Sequence, residues 1–240
     1  MNTSKKLLHT TGLILFFIGI FIGVLAAGGL TWSSLEANFY FGYGIQGNRA
    51  LKVNCPPVLA ASDTGMVTVS IFNPSTRQVK PRIEADLSGP VFPSTLETQL
   101  SIAPGERKTA SWEIGYRNVA FGNLILAQVY QYSAYPLTSA KGYCGTLVFN
   151  LHGLTGMQFL GLFLAAGLIG TLVGFILAAI GRRLLGERKR DEMGGMLLLS
   201  GFVLVGILGG LIGWWLVGVI AIAISVLLTT ALFSRKIIAS

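Results

Sequence analysis

Ionisable side chains are scarce in this sequence: 12% of its 240 residues are Asp, Glu, Lys or Arg, against about 25% in an ordinary soluble domain. That shortage excludes a disordered tail, a coiled coil and a nucleic-acid module of the usual kind, so no nucleic acid is expected among its partners. Histidine is rarer still, with His9 and His152 alone, and the topology read below puts them at opposite ends of a membrane on different spans. They cannot jointly hold a metal or haem, and each reads as an interfacial residue. Cysteine occurs twice, at Cys55 and Cys144, without the histidine pair that a mixed zinc site needs. Gly-x-x-x-x-Gly-Lys, Gly-x-Ser-x-Gly and His-Glu-x-x-His are all missing, so neither an enzyme nor a cofactor is expected.

Apolar residues are abundant, at 52% of the chain with a mean hydropathy of +0.65. Leu7 to Leu30 and Met157 to Ile180 are each 24 residues without a formal charge. At 1.5 Å per residue such a run reaches about 36 Å, enough to cross a hydrocarbon core of about 30 Å. The first run follows Lys5-Lys6 and holds Ala26-Ala27-Gly28, features shared with a secretory signal, but signal cores are only about 7 to 15 residues long and the reading is an uncleaved anchor. A third stretch, Met196 to Phe233, has 38 residues and would be about 57 Å long as one helix, so it must fold back on itself. Gly209, Gly210 and Gly213 supply the break, and Trp214 with Trp215 would hold the turn at headgroup level. The expected spans are therefore 7–31, 157–181, 196–212 and 214–233, with a basic loop at 182–195.

The net charge of +8 is mostly topological in origin. Lys5 and Lys6, the Arg182 to Arg190 cluster, and Arg235 with Lys236 flank the apolar runs on one side, which the positive-inside rule makes cytoplasmic. Both termini are then cytoplasmic and residues 32–156 extracytoplasmic. The spans carry no ionised group between their ends, unlike ion-coupled transporters. They carry instead small residues four apart, Gly19 with Gly23, Gly170 with Gly174 and Gly206 with Gly210, which allow close helix packing within this chain or against another subunit.

The outer region changes period. Gly65 to Phe72 alternates and ends in Asn73-Pro74-Ser75, a strand followed by turn chemistry. Further strands are expected at Val79 to Leu87, Thr95 to Ile102, Lys108 to Ile114, Asn123 to Tyr132 and Tyr143 to Asn150, with one near Leu51 to Val53. About seven short strands at such spacing predict an antiparallel sandwich over 51–155. VTVSIFNPST at Val67 to Thr76 and LSIAPGERKTASWEI at Leu100 to Ile114 resemble the Ig-like domains of bacterial cell-surface proteins of the cell-adhesion-related type, over the stretch Val53 to Asn150. The resemblance implies a fold and no binding residue. The four-span setting matches no family pattern, and the Trp and Cys signature of claudin-like proteins is missing.

Cys55 and Cys144 fall near the first and last strands and are expected to form a disulfide outside the cytoplasm. Asp63-Thr64-Gly65 matches an aspartic-protease tripeptide, but that chemistry needs two such loops and one is present, so the segment reads as a turn opening a strand. Arg82, Glu84 and Asp86 share one strand face and read as a polar face with a local ion pair rather than a calcium or acid pair. Phe39, Tyr40, Phe41 and Tyr43 cluster in 32–50 just outside the first span, as an interfacial belt, a cap on the base of the sandwich, or a partner contact. The expectation is a membrane α-helical protein of four spans carrying an all-β Ig-like domain, without catalysis, whose partners are membrane lipids and other membrane or cell-surface proteins or a second copy. The alternative is a carrier of a lipid or small apolar ligand near Phe39 to Tyr43 and Trp214.

Overall fold

The structure is a computed structural model that describes residues 2–42, 49–151, 153–185 and 190–238. In chain order it holds α1 (Asn2–Phe41), β1 (Arg49–Ala50), β2 (Val53–Asn54), β3 (Val58–Ala60), β4 (Gly65–Phe72), β5 (Arg82–Leu87), β6 (Ser94–Gln99), β7 (Arg107–Ile114), β8 (Leu124–Gln131), β9 (Ala140–Phe149), α2 (Gly156–Leu185), α3 (Arg190–Ile212) and α4 (Trp215–Ile238). It divides into two units, one containing the chain up to Thr31 and from Phe159 onward, the other Trp32–Gln158.

The first unit is helical. Three helical segments, Ser4–Phe41, Gly156–Leu184 and Met193–Ile212, are long and apolar enough to cross a membrane, and Trp215–Ala231 is a shorter apolar one. Leu13, Phe16 and Ile20 of α1, Ala178 of α2, and Met196, Leu199 and Val203 of α3 form its buried core. Several hydroxyls inside the helices donate to the carbonyl four residues back, as in Thr171 to Gly167 (2.8 Å), Ser200 to Met196 (2.9 Å) and Ser225 to Ala221 (2.8 Å). The turn between α3 and α4 is a Schellman motif: Gly213 stands at φ +80°, its N–H donates to Gly210 O (3.2 Å), and Trp214 N–H donates to Gly209 O (2.8 Å). Two of the orphan carbonyls at the end of α3 are thereby closed without water.

The helices run longer than the expected spans. α1 runs ten residues past the end of the expected span 7–31, and α2 and α3 extend into the expected loop 182–195. Charged residues bound a span but do not stop a helix, since Leu, Arg, Glu and Lys are all good helix formers.

The second unit is built on two sheets. One has six strands in the order β1-β9-β8-β5-β6 with β3 also paired to β9, and the other has three in the order β2-β4-β7. Alternation decides which side chains turn inward. Val67, Val69 and Ile71 of β4 and Ala110, Trp112 and Ile114 of β7 join Ile83, Ala85 and Leu87 of β5 and Ile125, Ala127 and Val129 of β8 in one buried cluster. The turn after β4 is organised by Asn73, which is fully buried. Its Nδ2 donates to the carbonyls of Arg77 (2.8 Å), Ile102 (3.1 Å) and Ala103 (3.1 Å), and its Oδ1 accepts from Ser75 N–H (3.0 Å).

β8 is buried on both faces because the last turns of α1 cover its outer side: Ala37 packs on Leu124 and Leu126, with Phe41, Tyr143 and Leu147 around them. The helix approaches closely at Gly145, where a Cβ would run into the Ser33 backbone, and Ser33 Oγ donates to Gly145 O (3.3 Å). The expected interfacial segment 32–50 is thus helical through Phe41, because Leu35, Glu36 and Ala37 continue the helix until Gly42.

Candidate interaction surface

The sequence-marked residues that fall among the described ones each have a definite place. Cys55 and Cys144 are disulfide-bonded, with Cα atoms 5.9 Å apart, joining the end of β2 in the smaller sheet to β9 in the larger. Among the described residues there is no free cysteine and no metal-competent group of three or more His, Cys, Asp and Glu.

Asp63 serves the backbone. Its Oδ2 accepts from Ala60 N–H (3.0 Å) in the β3–β4 turn and from Gly156 N–H (2.8 Å) at the first residue of α2. Thr155 and Gln158 complete a reciprocal capping box: Thr155 N–H donates to Gln158 Oε1 (3.0 Å) and Gln158 N–H to Thr155 Oγ1 (3.2 Å). A carboxylate there satisfies an orphan donor and faces the positive end of the helix dipole. The turn reading of Asp63-Thr64-Gly65 was incomplete, since the partner at Gly156 lies 93 residues away and leaves no local signal.

The face bearing Arg82, Glu84 and Asp86 is a connected polar network. Arg82 pairs with Glu97 on β6 and lies 3.5 Å from Glu84, with its guanidinium 4.8 Å from the centre of the Tyr132 ring. Tyr132 donates its hydroxyl to Glu84 Oε2 (2.8 Å). Asp86 accepts from Thr95 (2.6 Å) and Gln128 (2.9 Å). The bond to Glu84 holds Tyr132 neutral and raises its pKa above the ordinary value of 10.0, reinforced by desolvation. β6 borders this face. Among the described strands it pairs with β5 alone, it ends the larger sheet, and five of its six residues are exposed.

Phe39 and Tyr40 are exposed on the last turn of α1, Phe41 is half-buried on the sheet, and Tyr40 meets Phe121 edge-on at 5.7 Å. Tyr43 and His152 lie outside the described residues. His9 Nδ1 lies 3.1 Å from Ala178 O, joining α1 to α2. Trp214 is 64% exposed at the α3–α4 turn and Trp215 is half-buried.

The small residues of the spans lie at contacts within the helical unit. Gly19 is against Thr171 and Gly167, Gly170 against Gly19, and Gly174 against the backbone of Phe16, so α1 and α2 meet at van der Waals distance of their main chains. Gly23 faces Val203, Gly206 faces Ala27 and Gly210 faces Leu30 and Thr31, placing α3 on α1.

Sequence reasoning missed β3, which is three residues long and paired in parallel with a strand that comes some ninety residues later. It also missed two loops carrying exposed apolar side chains, Ser88–Pro93 and Gly115–Gly122, whose Phe, Tyr and Val read as ordinary strand-flanking residues.

No protein-family model matches the chain, and no curated protein matches it. Several solved structures resemble part of it. The CARDB domain of a Pyrococcus furiosus protein, solved with di-metal ions, is 10% identical with a TM-score of 0.33 over 41% of this chain and 90% of that domain. Red sea bream transglutaminase is 16% identical with a TM-score of 0.34 over 42% of this chain and 15% of its own. A Listeria innocua β-glucosidase is 20% identical with a TM-score of 0.30 over 45% of this chain and 17% of its own. The chain therefore spans about a sixth of the two enzymes it resembles. The likeness carries no residue role to this chain.

Proposed function

We propose that this is a four-span integral protein of the cytoplasmic membrane that holds an Ig-like sandwich outside the cell for protein interaction, as an accessory or structural subunit of a larger membrane assembly. α4 supplies the fourth crossing, and the two sheets sharing one core form the sandwich. The observation that carries the reading is the bare outer edge of β6. This strand has six residues, no proline and no lysine, and a row of main-chain donors and acceptors with no described neighbour. Edge strands of this kind are usually shortened, charged or covered, because they pair with other chains. The natural occupant is an extended segment of a partner that adds a strand, with Arg82, Glu84 and Glu97 on the adjoining face giving polar selectivity.

α1 passes into Trp32–Phe41 as one unbroken helix, and α2 starts on a capping box with Asp63 across it. Mild-detergent extraction from native membranes tests the reading: the chain is expected to migrate in a larger species that Leu96→Lys with Thr98→Lys depletes. Migration as a lone chain under several conditions overturns it.

A further inference from the structure

We infer that the occupant of the β6 edge is the β6 edge of a second copy of this chain, paired antiparallel about a two-fold axis at Leu96. The inference rests on the reading of β6 as a docking edge and names its partner. It lies wholly within the Trp32–Gln158 unit.

The ladder fixes which groups are free. Leu100 N–H donates to Pro81 O (3.2 Å), in the register that pairs Arg82 with Gln99 and Leu87 with Ser94. Hydrogen bonding alternates along an antiparallel strand, so Ser94, Leu96 and Thr98 turn their main-chain groups to β5, and Thr95, Glu97 and Gln99 turn theirs outward. The side chains alternate too. Those of Ser94, Leu96 and Thr98 share the face of Leu87, Ala85 and Ile83, which are buried in the core, whereas Thr95 and Glu97 share the face of Asp86 and Glu84.

On the core-side face the apolar residues are placed symmetrically. Phe92, two residues before the strand, is 81% exposed, Leu96 is 42% exposed, and Leu100 is half-buried against the core. They stand four apart, with Leu96 at the centre. Rotating a second copy about Leu96 therefore sets Leu96 on Leu96, Phe92 beside Leu100 and Ser94 beside Thr98, covering apolar surface that a lone chain leaves in water. The outward main-chain groups coincide in the same register: Thr95 meets Glu97 of the second copy, and the two residues exchange both hydrogen bonds on each side of the axis. Pro93 ends the ladder, because it has no N–H to offer. Glu97 keeps Arg82 and faces no like charge. Centring on Glu97 would set the two carboxylates opposite each other, and centring on Thr98 would leave Phe92 without a partner. A two-fold pairing of identical strands closes both edges at once, so the assembly stops at two copies.

Both native cysteines are bonded, so an added cysteine is the free thiol of the full chain. Residues that face each other without exchanging hydrogen bonds have Cα atoms about 4.5 Å apart, within disulfide reach. Leu96→Cys, in native membranes under mild oxidation, is expected to give most of the protein as a reducible dimer. Phe92→Cys chains co-expressed with Leu100→Cys chains are expected to cross-link to each other, which reads the register with Leu96 intact. Thr98→Cys alone and Tyr135→Cys, 91% exposed on the β8–β9 hairpin, are expected to stay monomeric. Cross-linking at 98 or 135 equal to that at 96, or none between 92 and 100, overturns the pairing. Absence of a dimer at 96 overturns the second copy: a thiol shielded from maleimide, or bonded to a different protein, leaves β6 as a docking edge, whereas a freely labelled one overturns that reading as well.

Discussion

At the scale of single residues, two side chains carry most of what can be measured about the outer unit. Asp63 joins the β3–β4 turn to the first N–H of α2 through one carboxylate oxygen. Asp63→Asn keeps an acceptor but removes the charge at the helix N-terminus, an expected loss of about 0.5 to 1 kcal/mol. Asp63→Ala removes the acceptor as well and should cost about 1 to 2 kcal/mol, read by thermal unfolding of the purified protein. Under the interaction reading neither change abolishes a chemical activity. Tyr132 responds to pH instead. Its folded pKa is raised, chiefly by the hydroxyl it donates to Glu84, so the neutral form is favoured in the folded state. The stabilisation is complete below the ordinary tyrosine value and is lost as pH rises through the folded pKa. An alkaline absorbance titration should show one tyrosine ionising later than the exposed ones, and Tyr132→Phe should delete that late phase.

At the scale of elements, the α3–α4 turn and the α1–α2 contact are the most exacting. Gly213 sits at φ +80° to close the Schellman motif. A residue with a Cβ is strained there, so Gly213→Ala should lower stability by about 1 to 2 kcal/mol and Gly213→Asn by less, measured as resistance to denaturing detergent. Gly174 lies against the Phe16 backbone with no room for a side chain. Gly174→Leu is expected to push α1 and α2 apart at a cost of at least about 1 to 3 kcal/mol, whereas a similar change at Gly161, which faces open space, should be near neutral in the same assay. The elements also show what the sequence could and could not reveal. β4 was legible because Val67, Val69 and Ile71 alternate with polar residues before a turn built from Asn, Pro and Ser. The break at Gly209 to Gly213 was legible from length alone. β3 was not, because Val58–Ala60 is short, follows two prolines, and acquires its partner only from the far end of the fold. Nor was the helical course of Trp32–Phe41: its aromatic composition suggested an interface, while its helix formers and the sheet face offered by Leu124 and Leu126 decided the outcome.

At the scale of the whole molecule, the disulfide and the charge distribution argue for one orientation. Cys55 and Cys144 are 89 positions apart, and closing a loop of that size restricts the unfolded chain by about 4 to 5 kcal/mol in the chain-entropy account. That gain exists only in an oxidising compartment, in keeping with the proposed placement of the β-sheet unit outside the cytoplasm. The basic residues point the same way independently, since Lys5, Lys6, Arg182 and Arg183 flank the opposite ends of the apolar runs. The two arguments share no residue, and both support the orientation proposed above. A cysteine placed at Tyr135 should react with an impermeant thiol reagent on intact cells, and one placed at Gly186 only after the membrane is opened. The reverse pattern would put the disulfide in a reducing compartment and the arginines on the outer surface, and it would remove the physical basis for a β6 edge open to extracellular partners.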